Sequence, residues 1–303
     1  MERKKVTLPE IQRKKEMGEP ITMLTAYDVS IARAIDQVGI DMILVGDSYG
    51  MVVLGYDTTV SVTMDQMITA AQAVARGAKN PLLIGDLPFL SYQVDAREAI
   101  RNAGRFIQEA NMDAVKLEGG REIAPTVRAI TNAGIAVMGH IGLTPQSVSK
   151  LGGWRTQGTT AEAAHKLLDD ALALQDAGAF SIVLEKVPER LAELVTQRLQ
   201  IPTIGIGAGL HCDGQVLVTN DLLGLFDRFV PKFAKQYAKL YPIIVEAISE
   251  YKREVDARAF PAAEHTFSIK EDEWDAFLKS LTAPNETHTL PAFDEHADAT
   301  RVY

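Results

Sequence analysis

The sequence predicts an α/β protein built as a closed (β/α)8 barrel, and three observations lead there. Short apolar runs alternate with helical stretches eight times between Ile21 and about Val255. The runs are apolar at nearly every position, as strands of a parallel sheet covered on both faces must be. Five of them end in an ionisable side chain: Met42–Val45 leads through Gly46 to Asp47 and Ser48, Leu82–Gly85 to Asp86, Ala114–Leu117 to Glu118, Ala136–Gly139 to His140 and Ser181–Leu184 to Glu185. An open, doubly wound sheet competes. Polar residues converging from five strand ends favour closure, because a barrel gathers the carboxyl ends of its strands into one site.

Val6–Met17 has helical spacing of Leu8, Ile11 and Met17. Ile21–Tyr27 is β-rich and ends at Asp28, and Val29–Val38 is helical up to Gly39. After the run to Asp47, Met51–Val62 reads as an irregular excursion over a site. Thr63 is a natural N-cap for a helix over Met64–Arg76. Helices over Asp95–Glu109 and Arg121–Asn132 follow the next two runs. Ile141–Gly158 is a Gly-rich loop, long for its position, and long loops tend to be functional. Thr159 or Thr160 caps a helix over Ala161–Ala177, and Glu189–Leu199 forms the next. Pro202–Gly205 reads as the seventh strand, Asp221–Phe226 as the last, and Phe233–Val255 as a long closing helix. The domain reading is a helical segment over 1–20, a barrel over 21–267 and an extension over 268–303. In that extension Glu271–Leu281 forms a short helix before a polar, flexible tail.

Hydrophobic content of 47% and charged content of 23% are those of a globular protein with a large core. A net charge of -9 argues against a nucleic-acid partner. No run approaches the ~18 apolar residues of a membrane span, and no signal sequence is expected. Cys212 is the single cysteine, so no internal disulfide can form, which fits a reducing, cytoplasmic setting.

Asp47, Asp86 and Glu118 are either helix caps and ion-pair partners or the oxygen ligands of a hard cation such as Mg2+. Lys116 lies two residues before Glu118, so both face the same side of the strand. It is either a structural partner of a carboxylate or a cation for a substrate anion. Glu185 closes an apolar run, and a poorly solvated carboxylate suits a general base. The alternative is a solvated strand end. His140 either positions that base or is an ordinary core histidine. Gly205–Gly209 is G-x-G-x-G, a weak phosphate-loop signal that tight turning also explains.

Six motifs occur in order: T-A-Y-D (25–28), V-G-D-S-Y-G-M (45–51), D-L-P-F (86–89), V-K-L-E-G-G (115–120), G-H-I-G-L-T-P-Q-S (139–147) and I-G-I-G-A-G (204–209). Together they resemble the ketopantoate hydroxymethyltransferase family from about Ile21 to Phe267. The resemblance implies a (β/α)8 barrel of the phosphoenolpyruvate/pyruvate superfamily type. It implies transfer of a hydroxymethyl group from 5,10-methylenetetrahydrofolate to 3-methyl-2-oxobutanoate in pantothenate and coenzyme A synthesis. By resemblance, Asp47 and Asp86 ligate one Mg2+ per subunit and also meet the substrate, and Glu118 joins the metal shell through water. Ser48 and Lys116 hold the oxo acid, Glu185 is the base and His140 lies beside it. A homo-oligomer is implied, with a decamer as the bacterial form. Where some relatives carry cysteine after the base, this chain has Lys186, and the extension beyond Ile269 has no counterpart.

Two other readings compete. An isocitrate lyase or phosphoenolpyruvate mutase type of enzyme would use the same barrel with a catalytic cysteine in a K-x-C-G-type loop. The only cysteine here, Cys212, stands in H-C-D-G. A non-catalytic barrel sensing oxo acids should lack a ligand or the base, and this chain retains them all.

Overall fold

The computed structural model describes residues 3–225 and 229–282. In chain order come α1 (Leu8–Met17), β1 (Ile21–Thr25), α2 (Val29–Val38), β2 (Met42–Val45), α3 (Tyr49–Val52), α4 (Met64–Gly77) and β3 (Leu82–Asp86). There follow α5 (Ala96–Ala110), β4 (Ala114–Glu118), α6 (Ala124–Asn132), β5 (Ala136–Gly142), α7 (Ala161–Asp176), β6 (Ser181–Glu185), α8 (Glu189–Arg198) and β7 (Thr203–Ile206). The last elements are β8 (Gly214–Leu217), α9 (Thr219–Leu222), α10 (Leu240–Asp256) and α11 (Glu271–Thr282). The eight strands are parallel, run in chain order and close through β8 onto β1, so the predicted barrel is the one observed.

Strand alternation sorts the apolar residues into two layers. Ile43, Val45, Leu83, Val115, Leu117, Val137, Ile182 and Leu184 point outward, into the layer shared with the helices. Met23, Met42, Leu44, Leu82, Ile84, Ala114, Met138, Val183 and Ile204 point inward and fill the barrel. Each fully buried aliphatic side chain contributes about 1.5–3 kcal/mol. The outer layer leaves no slack at Gly85, where a Cβ would come within 2.3 Å of the Phe106 ring on α5.

The inward series decides where polar side chains go. Extending Leu82 and Ile84 by two residues gives Asp86, and Ala114 is followed by Lys116 and Glu118. Met138 is followed by His140 and Val183 by Glu185. Four strands therefore carry an apolar lower interior and a charged upper one on a single period-two face.

The helix starts follow local capping chemistry. Asp28 caps α2, Asp95 caps α5, Thr160 caps α7, and Thr63 with Gln66 forms a capping box on α4.

Three sequence expectations are corrected. Of the expected Asp221–Phe226, residues 221–225 are not strand and Phe226 lies outside the described residues; the eighth strand is Gly214–Leu217. Only Val216 and Gly214 of it are buried, so its apolar signal is weaker than that of the run behind it, which begins inside α9. The closing helix starts at Leu240 rather than Phe233; Phe233 instead packs against the barrel interior. The excursion over Met51–Val62 begins as α3 and contains a single 3-10 turn, Thr59–Ser61. The expected polar tail lies outside the described residues. The chain groups into two compact units, the first ending at Ile244 and the second beginning at Val245.

Candidate active site

The carboxyl ends of the strands open into a cavity of about 560 Å3. Its lining includes Asp47, Ser48, Asp86, Lys116, Glu118, His140 and Glu185, so every site residue predicted from the sequence meets in one place. Asp47, Asp86, Lys116, Glu118 and His140 are all buried. None of the three acids caps a helix. They belong to a buried ionic cluster.

Lys116 Nζ lies 2.8 Å from Asp86 Oδ1 and 3.3 Å from His140 Nδ1. The register sets this up, since Asp86 is directly opposite Lys116 and Glu118 opposite His140. His140 sits between two carboxylates, with Nδ1 3.3 Å from Glu118 Oε1 and Nε2 3.2 Å from Glu185 Oε2. The Nε2–Glu185 contact is close enough for an ion pair but is not aligned as a hydrogen bond. Gly142 fixes the backbone behind Glu185: its φ is +92°, and a Cβ there would meet the Glu185 carbonyl oxygen at 2.2 Å.

The electrostatics follow from three acids sharing one lysine. Burial and repulsion from Asp86 and Glu118 push the Asp47 carboxyl well above its ordinary range. Burial also raises Asp86, against the pull of Lys116. Glu118 is held below its usual value because His140 and Lys116 outweigh the cost of burial. Burial and Lys116 oppose charge on His140, but Glu118 and Glu185 prevail and lift it to about 9, so the ring is an imidazolium at neutral pH. Lys116 stays protonated because Asp86, Glu118 and Asp47 outweigh its desolvation.

Asp86 Oδ1 and Glu118 Oε1 are buried, and among the described residues each meets only an ion-pair contact, from Lys116 and His140 respectively, with no well-aligned hydrogen bond. Three buried carboxylates with one lysine and one histidine between them leave acceptor capacity that a divalent cation would satisfy. Among the described residues, no three His, Cys, Asp or Glu side chains converge as a closed ligand set. The donors present, all carboxylate oxygens, are of the chemical type that suits a hard divalent cation.

Two residues that hold the cluster together were not singled out from the sequence. Gln146 Nε2 donates to Asp47 Oδ2 at 2.9 Å and to the Leu87 carbonyl at 3.0 Å, while its backbone N–H donates to Glu118 Oε2 at 3.0 Å. The Tyr92 hydroxyl donates to Gln146 Oε1 at 2.8 Å and accepts from the Glu118 N–H. Gln146 lies inside the 139–147 motif, which was the available signal; Tyr92 carries none. Tyr27 shares a 2.8 Å hydrogen bond with Ser48 and fixes that hydroxyl at the cavity wall. Lys186 adopts a left-handed φ of 51°. Its ammonium donates to the Trp154 carbonyl and its own carbonyl accepts from Gln157 N–H, so it clasps the Gly-rich loop.

Residues 5–263 match the family model described as ketopantoate hydroxymethyltransferase. The chain belongs to that family. A 3-methyl-2-oxobutanoate hydroxymethyltransferase of Syntrophomonas wolfei subsp. wolfei is 58% identical over 271 residues, covering 89% of this chain and 98% of the relative. One from Heliobacterium modesticaldum is 56% identical, with coverage of 89% and 98%. Among solved structures, a phosphonopyruvate hydrolase in complex with oxalate and Mg2+ superposes with a TM-score of 0.56 at 12% identity, covering 90% of this chain and 97% of that one. A 2,3-dimethylmalate lyase of the phosphoenolpyruvate mutase/isocitrate lyase superfamily gives 0.52 at 14%, covering 90% and 98%. At such identities these neighbours share the fold alone. Cys212 stands just before β8, at the amino end of the barrel, and is not among the residues lining the cavity.

Proposed function

We propose that this chain transfers the one-carbon unit of 5,10-methylenetetrahydrofolate to C3 of 3-methyl-2-oxobutanoate. With one water consumed, the products are ketopantoate and tetrahydrofolate, in the service of pantothenate and coenzyme A synthesis. The observation that carries this reading is the set Asp47, Asp86, Lys116, Glu118 and His140, all buried, with the half-buried Glu185 around one cavity, in a chain of this family.

Asp47 and Asp86 would hold one Mg2+ and the oxo acid, with Glu118 behind them through water. The ion supplies Lewis-acid polarisation of the 2-oxo group, which makes the C3 proton more acidic. The Glu185 carboxylate accepts that proton. His140, protonated and wedged against Glu185, holds the base in place and balances its charge. Lys116 places a permanent positive charge where the enolate oxygen develops negative charge. Ser48, fixed by Tyr27, donates to the substrate carboxylate. The nucleophilic C3 then forms the new C–C bond to the one-carbon unit as one folate nitrogen leaves. Water breaks the remaining C–N bond, its oxygen becoming the new hydroxyl. The proton taken from C3, together with one from the water, ends on the two nitrogens of tetrahydrofolate.

The assembly is a homo-oligomer in this reading. It is supported by α10, whose Ile244, Ile248, Tyr251 and Val255 share one exposed apolar face. The setting is cytoplasmic; among the described residues no helix is long and apolar enough to cross a membrane. A turnover assay with both substrates and Mg2+ tests the whole reading. Ketopantoate should form, and its formation should vanish in Asp47→Ala. Absence of ketopantoate from the wild type would refute it.

A further inference from the structure

The ionic cluster occupies the ends of β2 to β6. The rest of the rim, from β7 through β8 to β1, has a different character. Ile206, Val216, Val218 and Phe233 make it apolar, and one carboxylate, Asp221, interrupts it. Asp221 is only 8% exposed, and among the described residues its side chain has no hydrogen-bond or ion-pair partner. Its position is set rigidly: the Thr219 hydroxyl donates to the Thr25 carbonyl at 2.5 Å, and Thr219 N–H donates to the Thr25 hydroxyl at 3.0 Å, which pins α9 across β1. Desolvation without a compensating cation lifts the Asp221 carboxyl to about 6. Thr59 lines the same cavity, and its hydroxyl is buried without a partner among the described residues.

An unpaired carboxylate in an apolar wall costs stability and is retained where a ligand completes it. Among the described residues no cation pairs with it, Lys232 on the same cavity included, so the ligand must bring its own N–H donors while leaving the wall dry. A flat apolar ring with two parallel N–H donors on one edge meets both demands, because a carboxylate binds such an edge with two hydrogen bonds. The reduced pterin of a folate is such a ring; its edge offers N3–H and the exocyclic amine.

We propose that Asp221 holds the amino-pyrimidinone edge of the one-carbon donor, with the Thr59 hydroxyl as a second polar contact on the same cavity. This rests on the folate-dependent reading above. The donor then lies along the β7–β8–β1 arc, and its one-carbon end is directed toward the oxo acid over β2–β6.

The test measures binding rather than turnover. Tetrahydrofolate and 6-methyltetrahydropterin are titrated calorimetrically into enzyme holding Mg2+ and 3-methyl-2-oxobutanoate. Asp221→Asn keeps the shape but can accept only one of the two N–H groups. Its Kd for both probes should rise roughly tenfold or more, while the Kd for the oxo acid stays within about twofold. Thr59→Val should raise the pterin Kd by about threefold. The fragment p-aminobenzoylglutamate, which lacks the pterin, should bind wild type and Asp221→Asn equally. Unchanged pterin affinity in Asp221→Asn, or an equal loss for p-aminobenzoylglutamate, would overturn the assignment of Asp221 alone. A wild type that binds no tetrahydrofolate would overturn both this assignment and the choice of donor. Folding of the variant is checked by its melting temperature, which should not fall, because the substitution removes a buried charge.

Discussion

The two ends of the barrel use the same residue types to opposite effect. At the amino end, Asp41, Asp113 and Asp213 stand just before β2, β4 and β8. Each pairs with one lysine of the N-terminal segment: Lys14 at 2.7 Å, Lys5 at 2.5 Å and Lys15 at 2.8 Å. Each also accepts a backbone N–H from the preceding strand, at Thr22, Leu83 and Thr203, and so stitches neighbouring strands together. At the carboxyl end, Asp47, Asp86 and Glu118 are more deeply buried and share Lys116, with His140 beside Glu118, so that three acids divide two cations among them. Burial pushes up both Asp41 and Asp47. Lys14 and Thr22 then bring Asp41 below its usual value, whereas Asp86 and Glu118 drive Asp47 higher still. A carboxylate with its own cation and donors is a fastener. A carboxylate short of both is waiting for a ligand, and the shortage costs stability that the rest of the barrel supplies.

That contrast can be broken in several ways. The largest effect is expected at the carboxyl end, where Glu185→Gln should lower the steady-state turnover rate about 100- to 10,000-fold with little change in denaturant midpoint. At the amino end, Asp41→Ala should do the reverse. It strands Lys14 and frees the Thr22 N–H, so urea unfolding should show a loss of about 2 kcal/mol with kcat unchanged. A smaller, opposite effect is expected for Asp47→Asn in chelator-treated protein, where relief of repulsion should raise stability by about 1 kcal/mol while activity disappears.

The smallest effect distinguishes the two ends by pH. Asp41, lowered in the fold, contributes stability that is present above its unfolded value near 3.8 and is lost as pH falls through its lower folded value. Asp47, raised in the fold, disfavours the folded state once ionised, so the metal-free protein gains stability as pH falls toward 3.8. Melting curves of metal-free wild type and Asp47→Asn from pH 7 to 4 should therefore converge as pH falls. Parallel curves would remove the distinction.

Much of this was legible in the sequence because period-two alternation carries strand identity and facing together. Lys116 and Glu118 declared a shared face by spacing, and His140 and Glu185 stood out as polar ends of apolar runs. The eighth strand was not legible, since Gln215 points to solvent and leaves only Val216 and Leu217 as apolar signal, while Leu222–Leu225 behind it mimics a buried run. Tyr92 and Gln146 were missed for another reason. Their roles arise from hydrogen bonds between loops that follow different strands, which no local pattern encodes. Asp221 was hidden inside the misread strand, although its carboxylate, without a partner among the described residues, is the clearest polar feature of the β7–β8–β1 rim.

The most direct test of the central claim follows deuterium incorporation at C3 of 3-methyl-2-oxobutanoate in D2O by NMR, with Mg2+ and tetrahydrofolate present. Exchange is expected in the wild type and, undiminished, in Asp41→Asn, and is expected to be lost in Glu185→Gln. Exchange by Glu185→Gln at the wild-type rate would show that another group removes the proton, and would contradict the assignment of the base.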